Sequence, residues 1–187
     1  MESIDDVLLD AEEKMSKSLK VLQEQFSGLR TGKASPALVE NIKVQYYGAP
    51  TRLRELSSIA TPEPRLIIIS PYDPTSLPEI EKAILAANIG VTPINDGRLI
   101  RVPIPELSEE RRAEMAKVIK RISEENRVAI RNVRRDANEH IKNLEKKGKI
   151  TEDERKNTLN DIQKSTDEYI SKVDDAANAK AKEIMAV

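Results

Sequence analysis

The sequence predicts an α+β chain: an elongated three-helix bundle with a small α+β domain inserted into it. Three observations carry that prediction. Apolar stripes at helical spacing occupy both ends of the chain. Nine of the ten prolines fall in residues 50–105, and the tenth, Pro36, just precedes them. Charged residues make up 34%, yet the signs nearly cancel, 31 basic against 32 acidic. That balance suits long solvated helices whose opposite charges neutralise one another.

The first helix is read from Ile4, Val7, Leu8, Ala11, Met15, Leu19, Leu22, Phe26 and Leu29, which recur at steps of three and four. They make one stripe on a helix of roughly 28 residues. The second helix opens at Ser108, a good N-cap, with Glu109 and Glu110 where the helix dipole favours acid. Met115, Ile119, Ile122, Val133, Ala137, Ile141 and Leu144 mark its buried stripe, which Asn126 interrupts. Lys146, Lys147 and Gly148 fit its end. The third helix opens with Thr151-Glu152-Asp153-Glu154, a capping-box pattern. Leu159, Ile162, Tyr169, Ile170, Val173, Ala177 and Ile184 continue it nearly to the end of the chain.

The middle has a different texture. Ile42 to Tyr47 alternates, Leu66 to Ile69 is a short apolar run, and Leu99 to Val102 is β-like. Asn95-Asp96-Gly97 is a turn signal between Val91–Ile94 and Arg98–Val102. Pro78 to Asn88 reads as a short helix with Ile80, Ile84 and Leu85 on one side. Of Tyr46 and Tyr47, strand alternation turns one inward.

Burial dictates how these pieces combine. A lone amphipathic helix does not stay folded in water, so the first stripe needs a partner. Partners of matching length lie only beyond residue 107. The expected bundle is therefore residues 1–30 plus 105–187, with residues 31–104 as the inserted domain. The expected hinge is a double crossing, Arg30, Thr31 and Gly32 on one strand and Pro103, Ile104 and Pro105 on the other.

Composition excludes several chemistries. The chain has no Cys and one His, His140, so a disulfide, a thiolate site or a His-rich zinc site is not expected. Gly28-Leu29-Arg30-Thr31-Gly32-Lys33-Ala34 superficially resembles a phosphate-binding loop. It is one residue short, has Ala34 where a hydroxyl should bind magnesium, and follows a helix instead of a strand. Glu12, Glu13, Asp174 and Asp175 read as polar helical faces near Lys, not as paired catalytic acids. No catalytic residue, metal or cofactor is expected. The acidic N-terminus is the wrong sign for a signal or transit peptide, and no run approaches a membrane span. A cytoplasmic monomer, with an uncleaved start and no membrane partner, is the expectation.

The net charge of −1 hides a sorting. Residues 111–149 hold 13 basic and 6 acidic groups, net +7, while 1–30 and 150–187 are each net −3. At 100° per residue, Lys120, Arg127, Arg131, Arg134 and Asn138 fall on one side of the second helix, flanked by Lys117, Arg135 and Lys142. One reading is a face that keeps the helix solvated. The sharper one is a surface for nucleic-acid phosphates, since Arg suits bidentate contact. Aromatic residues are not interleaved, which favours backbone recognition of folded RNA over base stacking. A helical adaptor binding structured RNA or protein is the alternative.

Four motifs resemble those of the bacterial ribosome recycling factor family. They are Leu29-Arg30-Thr31-Gly32-Lys33-Ala34-Ser35-Pro36; Tyr46-Tyr47-Gly48-Ala49-Pro50-Thr51; Ile100-Arg101-Val102-Pro103-Ile104-Pro105-Glu106-Leu107 running into Glu109-Glu110-Arg111-Arg112; and Val128-Ala129-Ile130-Arg131-Asn132-Val133-Arg134-Arg135-Asp136-Ala137-Asn138. Arg52 stands where the family usually has Pro, and Ser108 where it often has Thr. The resemblance implies a three-helix bundle with an inserted β/α/β domain, L-shaped with a tRNA-like outline. It implies a non-catalytic translation factor that binds the post-termination ribosome between the subunits. With elongation factor G and GTP, such a factor splits the ribosome and releases mRNA and tRNA. It further implies that the basic helix contacts large-subunit rRNA, with Arg112, Arg131 and Arg134 at matching positions, and that the inserted domain faces elongation factor G. The expected rRNA-binding set is Arg112, Lys120, Arg127, Arg131, Arg134, Arg135 and Asn138.

Overall fold

The computed structural model describes residues 2–186. The chain divides into two compact units, one reaching Phe26 and resuming at Ala113, the other spanning Ser27–Arg112.

The first unit is helical. Its elements are α1 (Ile4–Ser27), most of α4 (Glu109–Lys146) and α5 (Glu152–Met185). Helix α1 is shorter than its stripe suggested, because it stops at Ser27 and leaves Leu29 outside. Its first turn is capped reciprocally: Asp6 N–H donates to Ser3 Oγ at 3.1 Å, and Ser3 N–H donates back to Asp6 Oδ2 at 3.2 Å. Helix α4 starts under Ser108, whose hydroxyl accepts from Arg111 N–H at 3.3 Å. It ends where Lys149 N–H reaches the Leu144 carbonyl and Gly148 N–H the Glu145 carbonyl. This Schellman closure needs the left-handed φ of +69° that Gly148 supplies. Helix α5 opens with the capping box that the sequence suggested, Thr151 and Glu154 exchanging backbone N–H bonds at 2.7 and 3.2 Å.

Val7 and Ala11 of α1, Ala137, Ile141 and Leu144 of α4, and Ile162 of α5 share one buried cluster. The stripe of α4 departs from expectation at three points. Met115 and Val133 are only half-buried, while Ile130 is fully enclosed. Ile130 lies four residues beyond Asn126 and so continues the same face. Asn126 itself is buried and bridges helices, its amide donating to the Ser18 carbonyl of α1 at 2.7 Å. Thr158 and Thr166 of α5 are buried because each hydroxyl folds back onto the carbonyl four residues earlier, at 2.7 Å.

The second unit is the α+β part. Strands β1 (Lys43–Tyr46) and β2 (Ala49–Arg52) form a hairpin, and a single turn of helix, α2 (Leu53–Leu56), follows. Tyr47 and Gly48 turn the hairpin with φ of +48° and +77°, the signs of a type I′ turn. A second antiparallel sheet has the order β3-β4-β6-β5, from β3 (Ser57–Glu63), β4 (Leu66–Pro71), β5 (Ile94–Asn95) and β6 (Ile100–Pro103). Ile67, Ile69, Ile100 and Val102 point from its central strands into a core completed by Leu77, Ile80 and Ile84 of α3 (Leu77–Ala86). Leu85 does not join them: it is 55% exposed, because it sits 100° around the helix from Ile84.

The expected crossings are bound into this second unit. The Arg30 guanidinium donates to the Gly90 carbonyl at 2.9 Å. Pro103 ends β6 opposite Leu66, and Ile104 is 3% exposed, its N–H donating to the Arg65 carbonyl at 2.8 Å. Gly32 holds φ +80° with Leu107 packed beside it. The contact boundary falls further out, after Phe26 and after Arg112.

Candidate nucleic-acid interface

The basic residues are placed by the core beneath them. With the buried stripe of α4 held inward, residues 60–120° around the helix emerge on its α5 side. Arg127 and Arg134 lie nearest the core edge and are half-buried; Lys120 and Arg135 stand out in solvent. Arg131 and Asn138 are half-buried, and so is Arg112 near the start of α4.

Arg127 is committed within the molecule. Its Nε and one terminal nitrogen donate to Asp174 Oδ1 of α5 at 2.9 and 2.6 Å, and the other donates to Glu124 at 3.1 Å. Asp174, then Glu124, hold the Arg127 guanidinium even further in its charged form than usual. The sequence placed Asp174 on a solvated face; it instead ties α5 to α4. The acid comes from a neighbouring helix, so inspecting α4 alone did not show it.

The other cations keep donors available. Arg131 makes one bond to Glu124 at 3.2 Å, and Arg134 one to the neutral Gln163 side chain at 3.1 Å. Arg135 reaches the neutral Asn132 at 3.3 Å. A guanidinium carries five N–H donors, so one such bond leaves most of the fork unused. Arg112 Nε, Arg134 Nε and Asn138 Oδ1 are sheltered without a hydrogen-bond partner. Lys120, Arg131 and Arg134 thus present donors on one side of α4, with Arg135 flanking them, while the Asn138 oxygen is turned out of solvent. Such a face suits phosphate oxygens and ribose hydroxyls. It offers nothing for bond-breaking chemistry. Among the described residues, no group of acids and His is gathered to hold a metal.

His140 is exposed on α4. Tyr46 donates its hydroxyl to Asp73 at 2.9 Å, while Tyr47 points out, 84% exposed. Tyr47 lies in the turn, not the strand, so backbone reversal and not alternation turns it outward.

A family model described as ribosome recycling factor matches residues 22–185. A Bacillus subtilis (strain 168) protein named ribosome-recycling factor is 52% identical over 182 residues, covering 97% of this chain and 98% of its own. The protein of that name from Nitratidesulfovibrio vulgaris (strain DP4) is 48% identical over 184 residues, covering 98% and 99%. The solution structure of a ribosome recycling factor superposes with a TM-score of 0.83 at 43% identity, over 100% of both chains. A second likeness has a TM-score of 0.70 at 40% identity, over 98% of this chain and 100% of the other. It is described as models for the T. thermophilus ribosome recycling factor and the E. coli elongation factor G bound to the E. coli post-termination complex.

Proposed function

The chain belongs to the ribosome recycling factor family, and on that premise we propose that the outer face of α4 is its anchor on ribosomal RNA. Its function is that of the family. It is a non-catalytic translation factor that acts with elongation factor G on the post-termination ribosome, splitting it so that mRNA and tRNA leave. The GTPase activity belongs to elongation factor G.

The anchor reading rests on one observation: four cations with unused donors share one side of a single helix in a chain whose net charge is −1. Phosphate contacts of this kind position a protein without reading sequence. Lys120, Arg131, Arg134 and Arg135 supply the donors, and Asn138 lies beside them with its oxygen sheltered. Arg127 serves by holding α4 against α5.

The factor does mechanical work without chemistry of its own. Its binding energy shifts an equilibrium only as far as it binds the intact and split ribosome unequally. Elongation factor G acts on the inserted domain. We read the pivot as lying beside the contact boundary, at Ser27–Leu29 and Ser108–Arg112, a reading supported by the bonds that hold Arg30, Gly32, Pro103 and Ile104 within the second unit. The protein acts as a monomer in the cytoplasm.

Light scattering of post-termination ribosomes with this protein, elongation factor G and GTP tests the reading. The expected result is a drop that needs all three components and is slowed in Lys120→Ala and Arg134→Ala. Both variants should keep the parent helical circular dichroism. Undiminished splitting in a variant carrying both changes would remove the α4 face as the anchor.

A further inference from the structure

A groove runs between α1 and α5, within the helical unit and away from the cations of α4. Leu8, Leu9 and Ile162 give it an apolar floor, and Asp5, Glu12 and Asp161 stand along it. Among the described residues, no Lys or Arg lines it. We infer that this groove docks a cationic, apolar-anchored segment of another protein.

Three features point to that occupant. Leu9 is 71% exposed, and it adjoins half-buried Leu8 to widen the floor that Ile162 begins. A single exposed leucine is ordinary, but one continuous with a groove offers an anchor site. Glu12 is a positioned charge: Ser165 Oγ donates to one of its oxygens at 3.0 Å and the Tyr169 hydroxyl to the other. Both donors are neutral, so they orient the carboxylate without cancelling it. Glu12 in turn pushes the Tyr169 phenol above its ordinary value, so the phenol keeps its proton.

The remaining choice is among cationic ligands. The acids are spread along the groove and form no metal-holding group among the described residues. Nucleic acid and anionic lipid surfaces are repelled by this rim. Spread carboxylates beside an apolar floor fit Lys or Arg side chains interleaved with apolar ones, as on an amphipathic helix laid in a groove. This inference stands apart from the RNA reading, since it uses neither α4 nor the ribosome.

The test uses the full chain and a fluorescein-labelled amphipathic peptide of Leu and Lys at helical spacing. Control peptides carry Glu for Lys, or Ser for Leu. Anisotropy should show binding of the parent peptide alone, and amide shifts should map it to α1 near Leu9 and α5 near Asp161. Leu9→Ser should weaken binding by about fivefold or more, and Asp161→Asn should weaken it and reduce its salt dependence. Both positions are exposed, so unchanged circular dichroism and thermal midpoint accompany the loss. Shifts confined to other surfaces, or full affinity in Leu9→Ser, would overturn the inference. So would a concentration-dependent dimer abolished by Leu9→Ser, which would assign the groove to a second copy.

Discussion

At the scale of single residues, helix ends and buried polar groups show how finely the chain is set. The Thr151–Glu154 exchange is a compact case. The Thr151 backbone N–H, then its hydroxyl, donate to the Glu154 carboxylate and hold it below the ordinary value of 4.5. A carboxyl depressed in the folded state adds stability above its unfolded pKa, and that contribution drains as pH falls through the folded one. The thermal midpoint of Glu154→Gln should therefore lie below that of the parent near neutrality. The gap should close as the pH drops under 4.5. A gap that persists well below that range would show that the ionised carboxylate is not what stabilises the cap. Asn126 is another residue-scale device. One amide hydrogen satisfies Ser18 of α1 while its Oδ1 stays without a partner, which fixes where α1 meets α4 more than it strengthens the contact.

At the scale of elements, Arg127 and Asp174 make the link between α4 and α5 that charge sorting alone obscures. Arg127 is partly buried and Asp174 is nearly half exposed, with side-chain exposures of 24% and 46%. Solvent therefore screens the pair, and a double-mutant cycle through Arg127→Ala and Asp174→Ala should return a coupling of about 1 kcal/mol, smaller at high salt. A coupling near zero would make the pair a packing contact only. This link also shows what the sequence could and could not reveal. Long helices were legible because each buries a stripe at a regular spacing, and their caps because Ser108, Gly148 and Thr151 act within one turn. Ile130, fully buried, was missed, because the polar Asn126 four residues before it reads as a break in the stripe. Asp174 was missed as well, because its partner lies 47 residues away on another helix. Strand β3 was equally hidden. Ser57–Glu63 carries an exposed, Pro-containing edge, and its place comes from its register against β4, not from any alternation of its own. The turn at Tyr47 and Gly48 was visible as a motif, yet the strand after it, Ala49–Arg52, has no buried residue to announce it.

At the scale of the whole molecule, the charge distribution decides how binding responds to salt. A net charge of −1 gives little long-range attraction to RNA. The pull must come from α4 within about a Debye length, roughly 10 Å at 0.1 M salt. Each phosphate neutralised by a Lys or Arg lowers the logarithm of the binding constant by roughly 0.7–0.9 per decade of salt. If Lys120, Arg131, Arg134 and Arg135 each meet one phosphate, ribosome co-sedimentation across a salt series should give a slope of about −3. Arg131→Ala with Arg134→Ala should reduce its magnitude by about 1.5. Arg127→Ala should behave differently. Its guanidinium is already occupied by Asp174 and Glu124, so the slope should stay while the thermal midpoint falls. A reduced slope in Arg127→Ala equal to that of the outer arginines would mean that the ribosome displaces Asp174 and takes Arg127 for itself. An unchanged slope in every variant would mean that the charge on α4 serves solvation, and that the ribosome holds this protein elsewhere.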